Sequence, residues 1–179
     1  MRALLLGIVL ASLIAPLRSF AEPDLVNTEA TADTIWVDDW DTGIAQAKRE
    51  NKPVLVDFFS DGCGACRGMH KYVFTDEKVK SRIADGWVWI QVNTSHGWKF
   101  GTWDGAPYRY NELARHFRVV GVPTYLFIDS DGVPVQAVVG SKDTDMFADI
   151  LDYFAERAYE RKIPFETFRK KKHDSASLK

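Results

Sequence analysis

The chain has 179 residues, with 23 basic and 25 acidic side chains, a net charge of −2 and 46% hydrophobic residues. That length fits one domain with a proper core, and the acidic balance excludes the basic surface a nucleic-acid binder needs. Cys63 and Cys66 are its two cysteines, which excludes the small disulfide-stapled scaffolds built on several pairs.

Met1-Arg2 places a positive charge before the apolar run Ala3 to Leu17, and Ser19-Phe20-Ala21 offers small residues for a cut. The run is about 15 residues, short of the ~20 that a spanning helix needs, so residues 1–21 read as a cleavable secretory signal peptide. Removal of Arg2 and Arg18 leaves the chain more acidic, and no cysteine follows the run to anchor a lipid. Residues 22–39, polar and aperiodic for most of their length, read as a flexible lead. The folded domain is expected over 40–161.

Within it, Asp41 caps a helix through Ile44 and Ala47 that ends at Asn51-Lys52-Pro53. Val54 to Phe59 is continuously apolar apart from Asp57, as a strand covered on both faces should be. Cys63 and Cys66 follow at the strand-to-helix junction, with the helix running through Met69, His70 and Val73. Thr75 or Asp76 caps a short helix closed by Gly86, and Trp87 to Val92 is a second strand. Asn93 to Tyr110, rich in glycine and aromatic residues, reads as a long loop of the kind that is often functional. A helix with Leu113, Ala114 and Phe117 on one face comes next. Strands Thr124 to Ile128 and Val133 to Val139 flank the polar turn Asp129 to Gly132, a hairpin signal. Asp143 or Thr144 caps a last amphipathic helix. Residues 162–179, with Arg169-Lys170-Lys171-Lys172, read as a basic, mobile tail.

A C-x-x-C pair closes only a tiny ring, so as a staple it removes little entropy from the unfolded chain. Its value lies in opening and closing. A cysteine at a helix start meets unpaired N–H groups and the positive end of the dipole, which lowers its pKa and favours the attacking thiolate. Cys63 is therefore the expected nucleophile, and Cys66, one turn deeper, the resolving thiol. Asp57 inside an apolar strand should have a raised pKa suited to proton transfer; an Asp at the strand end facing solvent is the alternative. His70, four residues after Cys66, would complete a three-ligand copper or zinc site with the two thiols, or else stand solvated. Trp98, Phe100, Trp103, Tyr108 and Tyr110 either line a groove for a partner segment or pack the loop onto the domain.

Lys52-Pro53-Val54-Leu55-Val56-Asp57-Phe58, the dithiol six residues after Asp57, and Val122-Pro123-Thr124 together resemble the thioredoxin family of oxidoreductases. Tyr72 to Val79 is similar to the C-terminal periplasmic domain of the thiol:disulfide interchange protein DsbD, and Trp103-Asp104-Gly105 through Arg115 resembles the SoxW-type periplasmic thioredoxins. The resemblance covers roughly Trp40 to Ala158. It implies an α/β thioredoxin fold, a central mixed sheet flanked by helices in a single domain, and a periplasmic thiol:disulfide oxidoreductase that reduces protein disulfides without a bound cofactor or metal. It further implies Asp57 as the buried acid that moves the proton of Cys66, Pro123 as a cis-proline facing the dithiol, and a membrane thiol:disulfide transporter as electron donor. A disulfide oxidase or isomerase, and a metallochaperone using the same cysteines, are the alternative readings. The chain departs from the family pattern in three places: Gly62 stands where a tryptophan commonly precedes the first cysteine, Gly64-Ala65 lies between the cysteines, and Gln91 replaces a lysine that often accompanies the buried acid.

Overall fold

A computed structural model describes residues 35–176. The signal peptide read over 1–21 and most of the lead lie outside the described residues. In chain order the elements are β1 (Trp36–Val37), α1 (Trp40–Glu50), β2 (Val54–Phe59), α2 (Gly64–Gly68) running into a π-helical turn (Met69–Val73), α3 (Glu77–Gly86), β3 (Val88–Asn93), β4 (Phe100–Trp103), β5 (Ala106–Arg109), α4 (Tyr110–His116), β6 (Thr124–Ile128), β7 (Pro134–Val139), α5 (Thr144–Ala155) and α6 (Phe165–Ala176).

The main sheet has five strands in the order β1-β3-β2-β6-β7. β2 lies at its centre, parallel to β3 and antiparallel to β6. Because side chains alternate across a strand, β2 supplies both halves of the core. Val54, Val56 and Phe58 pack with Trp40, Tyr110 and Leu113 on one face; Leu55 packs with Trp89, Tyr125, Phe127 and Phe147 on the other. This is the thioredoxin fold, and it explains why β2 reads as a nearly unbroken apolar run.

Helix ends follow local chemistry. The N-cap of α1 is Asp39, whose carboxylate accepts from Thr42 N at 2.8 Å, rather than Asp41. Asp41 instead accepts from the Thr102 backbone N–H at 2.8 Å. Two caps at one helix start would be redundant, and the second carboxylate ties α1 to β4. Asp76 and Asp143 cap α3 and α5. Gly43 lets α1 lie on the sheet, because a Cβ there would meet Ile90 Cδ1 at 2.5 Å.

Three stretches differ from the sequence reading. The end of the lead is ordered: Trp36 and Val37 pair with Trp89 and Ile90 as β1. The aromatic stretch after β3 contains a two-stranded hairpin, β4–β5, whose short alternating segments were hidden among glycines. The basic stretch is, over Phe165–Ala176, the helix α6, seated by Phe168 against Tyr153 at 5.4 Å between ring centroids. Its positive charge has a specific counterpart in Asp149, whose side chain is 3% exposed and accepts from Arg169 Nε at 3.0 Å and Lys172 Nζ at 2.5 Å, with His173 Nε2 at 2.8 Å.

Burial alone would raise the pKa of Asp149, but the hydrogen bonds from His173, Lys172 and Arg169 outweigh it and hold the carboxyl at about 2. A carboxyl depressed in the folded state contributes stability that is present above its unfolded pKa and lost as pH falls through the folded value. Asp149→Ala should therefore cost about 2 kcal/mol at neutral pH, with the gap from the parent closing between about pH 4 and pH 2 in urea unfolding curves. A gap that does not change over that window would mean α6 is held by Phe168 and its apolar neighbours alone.

Candidate active site

The turn after β2 places Cys63 at the start of α2. Cys63 N donates to Ser60 O at 3.1 Å, and Cys63 Sγ, as N-cap, accepts from Cys66 N at 3.0 Å. The two sulfurs are joined in a disulfide with Cα atoms 5.3 Å apart. Cys63 is partly exposed, whereas Cys66 is 1% exposed. An N–H aimed at Cys63 Sγ favours negative charge there. The approach loop is pinned from β3: Asn93 Nδ2 donates to Asp61 Oδ1 at 2.5 Å, and Asp61 N donates to Ser95 Oγ at 3.3 Å.

Facing Cys63, the Val122–Pro123 peptide bond is cis, which excludes an ordinary trans proline at the strand start. Val122 O lies 3.7 Å from Cys63 Sγ. Thr124 Oγ1 donates to Gly121 O at 2.6 Å, fixing the turn, and Val120 beside it is 90% exposed.

Asp57 lies in β2 with Gln91 and Tyr125 as its register neighbours. It is fully buried, not a solvent-facing strand end. Its Oδ2 is 2.6 Å from His70 Nε2, and its Oδ1 has no hydrogen-bond partner among the described residues. Burial pushes the Asp57 carboxyl above the usual range, against the opposing hydrogen bond and charge of His70. Tyr125 is also pushed up, by burial and then by the negative charge of Asp57, so its hydroxyl stays protonated.

His70 is the residue whose place the sequence reading missed. It does not stand free in solvent; its ring is turned to Asp57. Among the described residues no group of three His, Cys, Asp or Glu side chains is placed to hold a metal. The available signal was its position one turn beyond buried Cys66, which puts it on the helix face that meets the sheet. What the spacing could not show is the π-helical turn beginning at Met69, where Phe74 N donates to Met69 O at 3.0 Å.

The aromatic stretch divides. Tyr110 is fully buried, accepting from Trp40 N at 3.1 Å and donating to Asp38 O at 3.3 Å. Trp103 packs on Phe117 and Tyr108 on His116, each with centroids 5.0 Å apart. Trp98 and Phe100 stay exposed, the first stacked on His96 at 4.5 Å. The stretch is thus mainly packing, with Phe100 and Trp98 left on the surface, Trp98 resting on His96, which lies 3.7 Å from Asp61 in the loop that precedes Cys63.

Residues 40–155 match the family described as Thioredoxin-like domain. Over 114 residues the chain is 36% identical to the thiol:disulfide interchange protein DsbD of Salmonella paratyphi A, covering 63% of this chain and 18% of that protein; it thus spans under a fifth of that relative's length. Among solved structures, a thioredoxin-fold protein from Helicobacter pylori superposes with a TM-score of 0.59 at 20% identity, covering 78% of this chain and 85% of that one. A thioredoxin from Thermus thermophilus does so with a TM-score of 0.51 at 27% identity, covering 65% and 86%. Among the described residues no helix is long and apolar enough to cross a membrane.

A carboxyl whose folded pKa is raised is stabilised only while protonated, so its contribution is lost as pH rises from the unfolded value through the folded one. In thermal melts of the oxidised protein, Asp57→Asn should therefore melt above the parent at about pH 9, with the difference shrinking toward about pH 4. A difference that is constant with pH would remove ionisation of Asp57 from this description.

Proposed function

Because the chain belongs to the thioredoxin-like domain family, we propose that it works as a periplasmic thiol:disulfide oxidoreductase that reduces disulfides in other proteins through Cys63 and Cys66. Its homology to the DsbD thiol:disulfide interchange proteins supports the class of reaction. The observation that carries the reading is the assembly at one end of β2: Cys63 capping α2, Cys66 buried behind it, and the Val122 carbonyl 3.7 Å from Cys63 Sγ.

The reaction follows from these positions. Cys63 thiolate attacks one sulfur of a substrate disulfide, forming a mixed disulfide and expelling the other sulfur as a thiolate that takes a proton from water. Cys66 then gives up its proton, attacks Cys63 Sγ and releases the second substrate sulfur. Two electrons pass from the dithiol to the substrate, and Cys63–Cys66 closes. Asp57 in its ionised form, whose proton affinity burial raises, serves as acceptor for the Cys66 proton. An extended substrate segment pairs with the backbone of Val122 beside exposed Val120, in the manner of an added strand.

Burial of Asp57 favours the reducing direction. Strong oxidants hold a very stable thiolate, which stabilises their reduced form; a buried carboxyl next to the dithiol helix works against such stabilisation. The periplasm is supported by the signal-peptide reading of 1–21 and by the DsbD relatives. A reductant in an oxidising compartment needs electrons from elsewhere, and a membrane thiol:disulfide transporter is the donor proposed.

Cys63→Ser should abolish disulfide reduction, with insulin as test substrate, to below about 1% of the parent rate, since the nucleophile itself is lost. Cys66→Ser should retain attack and accumulate mixed disulfides with envelope proteins, separable on non-reducing gels. Reduction by the Cys63→Ser protein, or no trapped species with Cys66→Ser, would contradict the assignment of the two sulfurs.

A further inference from the structure

Asp57 has no exposed surface, so a proton taken up there cannot return to water unaided. Its Oδ2 meets His70 Nε2 at 2.6 Å, and the His70 side chain is 29% exposed. The imidazole ring is fixed on two sides, by Phe59 at 5.0 Å and Phe74 at 5.5 Å between centroids. It also forms part of the wall of a cleft of about 330 Å³ bounded by Trp36, Thr75, Lys80, Trp89 and Gln91. His70 therefore bridges a sealed carboxyl and an open cleft. An imidazole accepts a proton on one ring nitrogen and releases one from the other, so it passes protons without leaving its place.

We propose that His70 carries the proton of Asp57 between the buried carboxyl and solvent, and thereby sets how fast Cys66 can resolve a mixed disulfide. The inference rests on the dithiol exchange proposed above and concerns the same site. In the resolving step the Cys66 thiol proton goes to Asp57, the Cys66 sulfur electron pair forms the bond to Cys63 Sγ, and the bond from Cys63 to the substrate sulfur breaks. The substrate sulfur leaves with that electron pair and takes a proton from water. With His70 in the tautomer whose Nε2 is bare, the proton on Asp57 moves to Nε2 while Nδ1 releases its own proton to the cleft. Asp57 is again ionised, and the ring, now protonated on Nε2, regains the first tautomer by proton exchange with water before the next turnover.

The surroundings leave His70 as the group suited to this task. From β6, Tyr125 presents a hydroxyl that burial and the Asp57 charge keep protonated. From α3, Lys80 lines the cleft and is 3.7 Å from Glu77. Cys66 in α2 is the donor itself. Gln91 and Trp89 of β3 and Trp36 of β1 do not titrate. The π-helical turn that holds His70 adds an independent sign, since such turns are frequent at functional sites.

The test uses the reduced protein with the aromatic disulfide 5,5′-dithiobis(2-nitrobenzoate), which releases one coloured thiolate when Cys63 attacks and a second when Cys66 resolves. The ratio of the second rate to the first is read from pH 5 to pH 9 for the parent, His70→Gln and His70→Ala. His70→Gln keeps a hydrogen-bond donor for Asp57 and cannot carry a proton, so the ratio should fall about tenfold or more and lose its pH dependence. Added imidazole should restore the rate in His70→Ala. If His70→Gln keeps the parent ratio and pH profile, His70 only positions Asp57 and the proposal is wrong. A parent that releases fewer than two thiolates would instead defeat the exchange reading beneath it.

Discussion

A carboxyl group with no exposed surface, in the central strand of the sheet, is the constraint that the arrangement of the site depends on. Ionising Asp57 in that position costs several kcal/mol unless partners offset it, and among the described residues the hydrogen-bond partner of its carboxylate is His70. The fold serves this arrangement on every side. β3 and β6 flank β2 and place Gln91 and Tyr125 next to Asp57. The π-helical turn that continues the helix begun at Cys63 brings His70 onto the carboxyl. The dithiol and the carboxyl thus belong to one strand-and-helix unit, Asp57 in β2 and the cysteines at the start of the helix that follows it.

Two influences then act on the cysteines in opposite directions. The helix start and the Cys66 N–H favour negative charge on Cys63. On the proposed reading, the carboxyl in β2 disfavours it when ionised, because like charges in a poorly screened interior repel. The balance between them decides how stable the reduced form is, and so whether electrons leave the dithiol readily. The partner side has its own logic. Val120 is exposed two residues before Val122, whose carbonyl lies 3.7 Å from Cys63 Sγ, and exposed Trp98 stacks on His96, which lies 3.7 Å from Asp61 in the loop before Cys63; shape and stacking rather than charge would select a partner here.

Much of this was legible in the residue order. Val54 to Phe59 announced a strand covered on both faces because its apolar residues do not alternate, and the dithiol after it marked the strand-to-helix junction. Asp57 stood out as the one charged residue in that run. The misses have physical causes. A hairpin of four-residue strands carries too few alternations to rise above the glycines between Asn93 and Tyr110. The helix Phe165–Ala176 has a weak apolar stripe and was masked by its charge; its docking depends on Asp149, twenty residues before Arg169 in the chain. His70 had the right spacing from Cys66, yet its pairing with Asp57 arises from tertiary packing of helix on sheet and from a π-helical turn, neither of which leaves a periodic trace.

On the proposed reading, a dithiol at the end of the strand that holds a buried carboxyl gives up its electrons readily. The most direct test is the reduction potential of the Cys63–Cys66 pair, measured by equilibrating metal-free protein in glutathione and dithiothreitol buffers. The account predicts reversible two-electron cycling with a value near that of thioredoxins, about −270 mV. A value near about −120 mV would make the protein an oxidant, and a pair that fails to cycle would contradict disulfide exchange altogether.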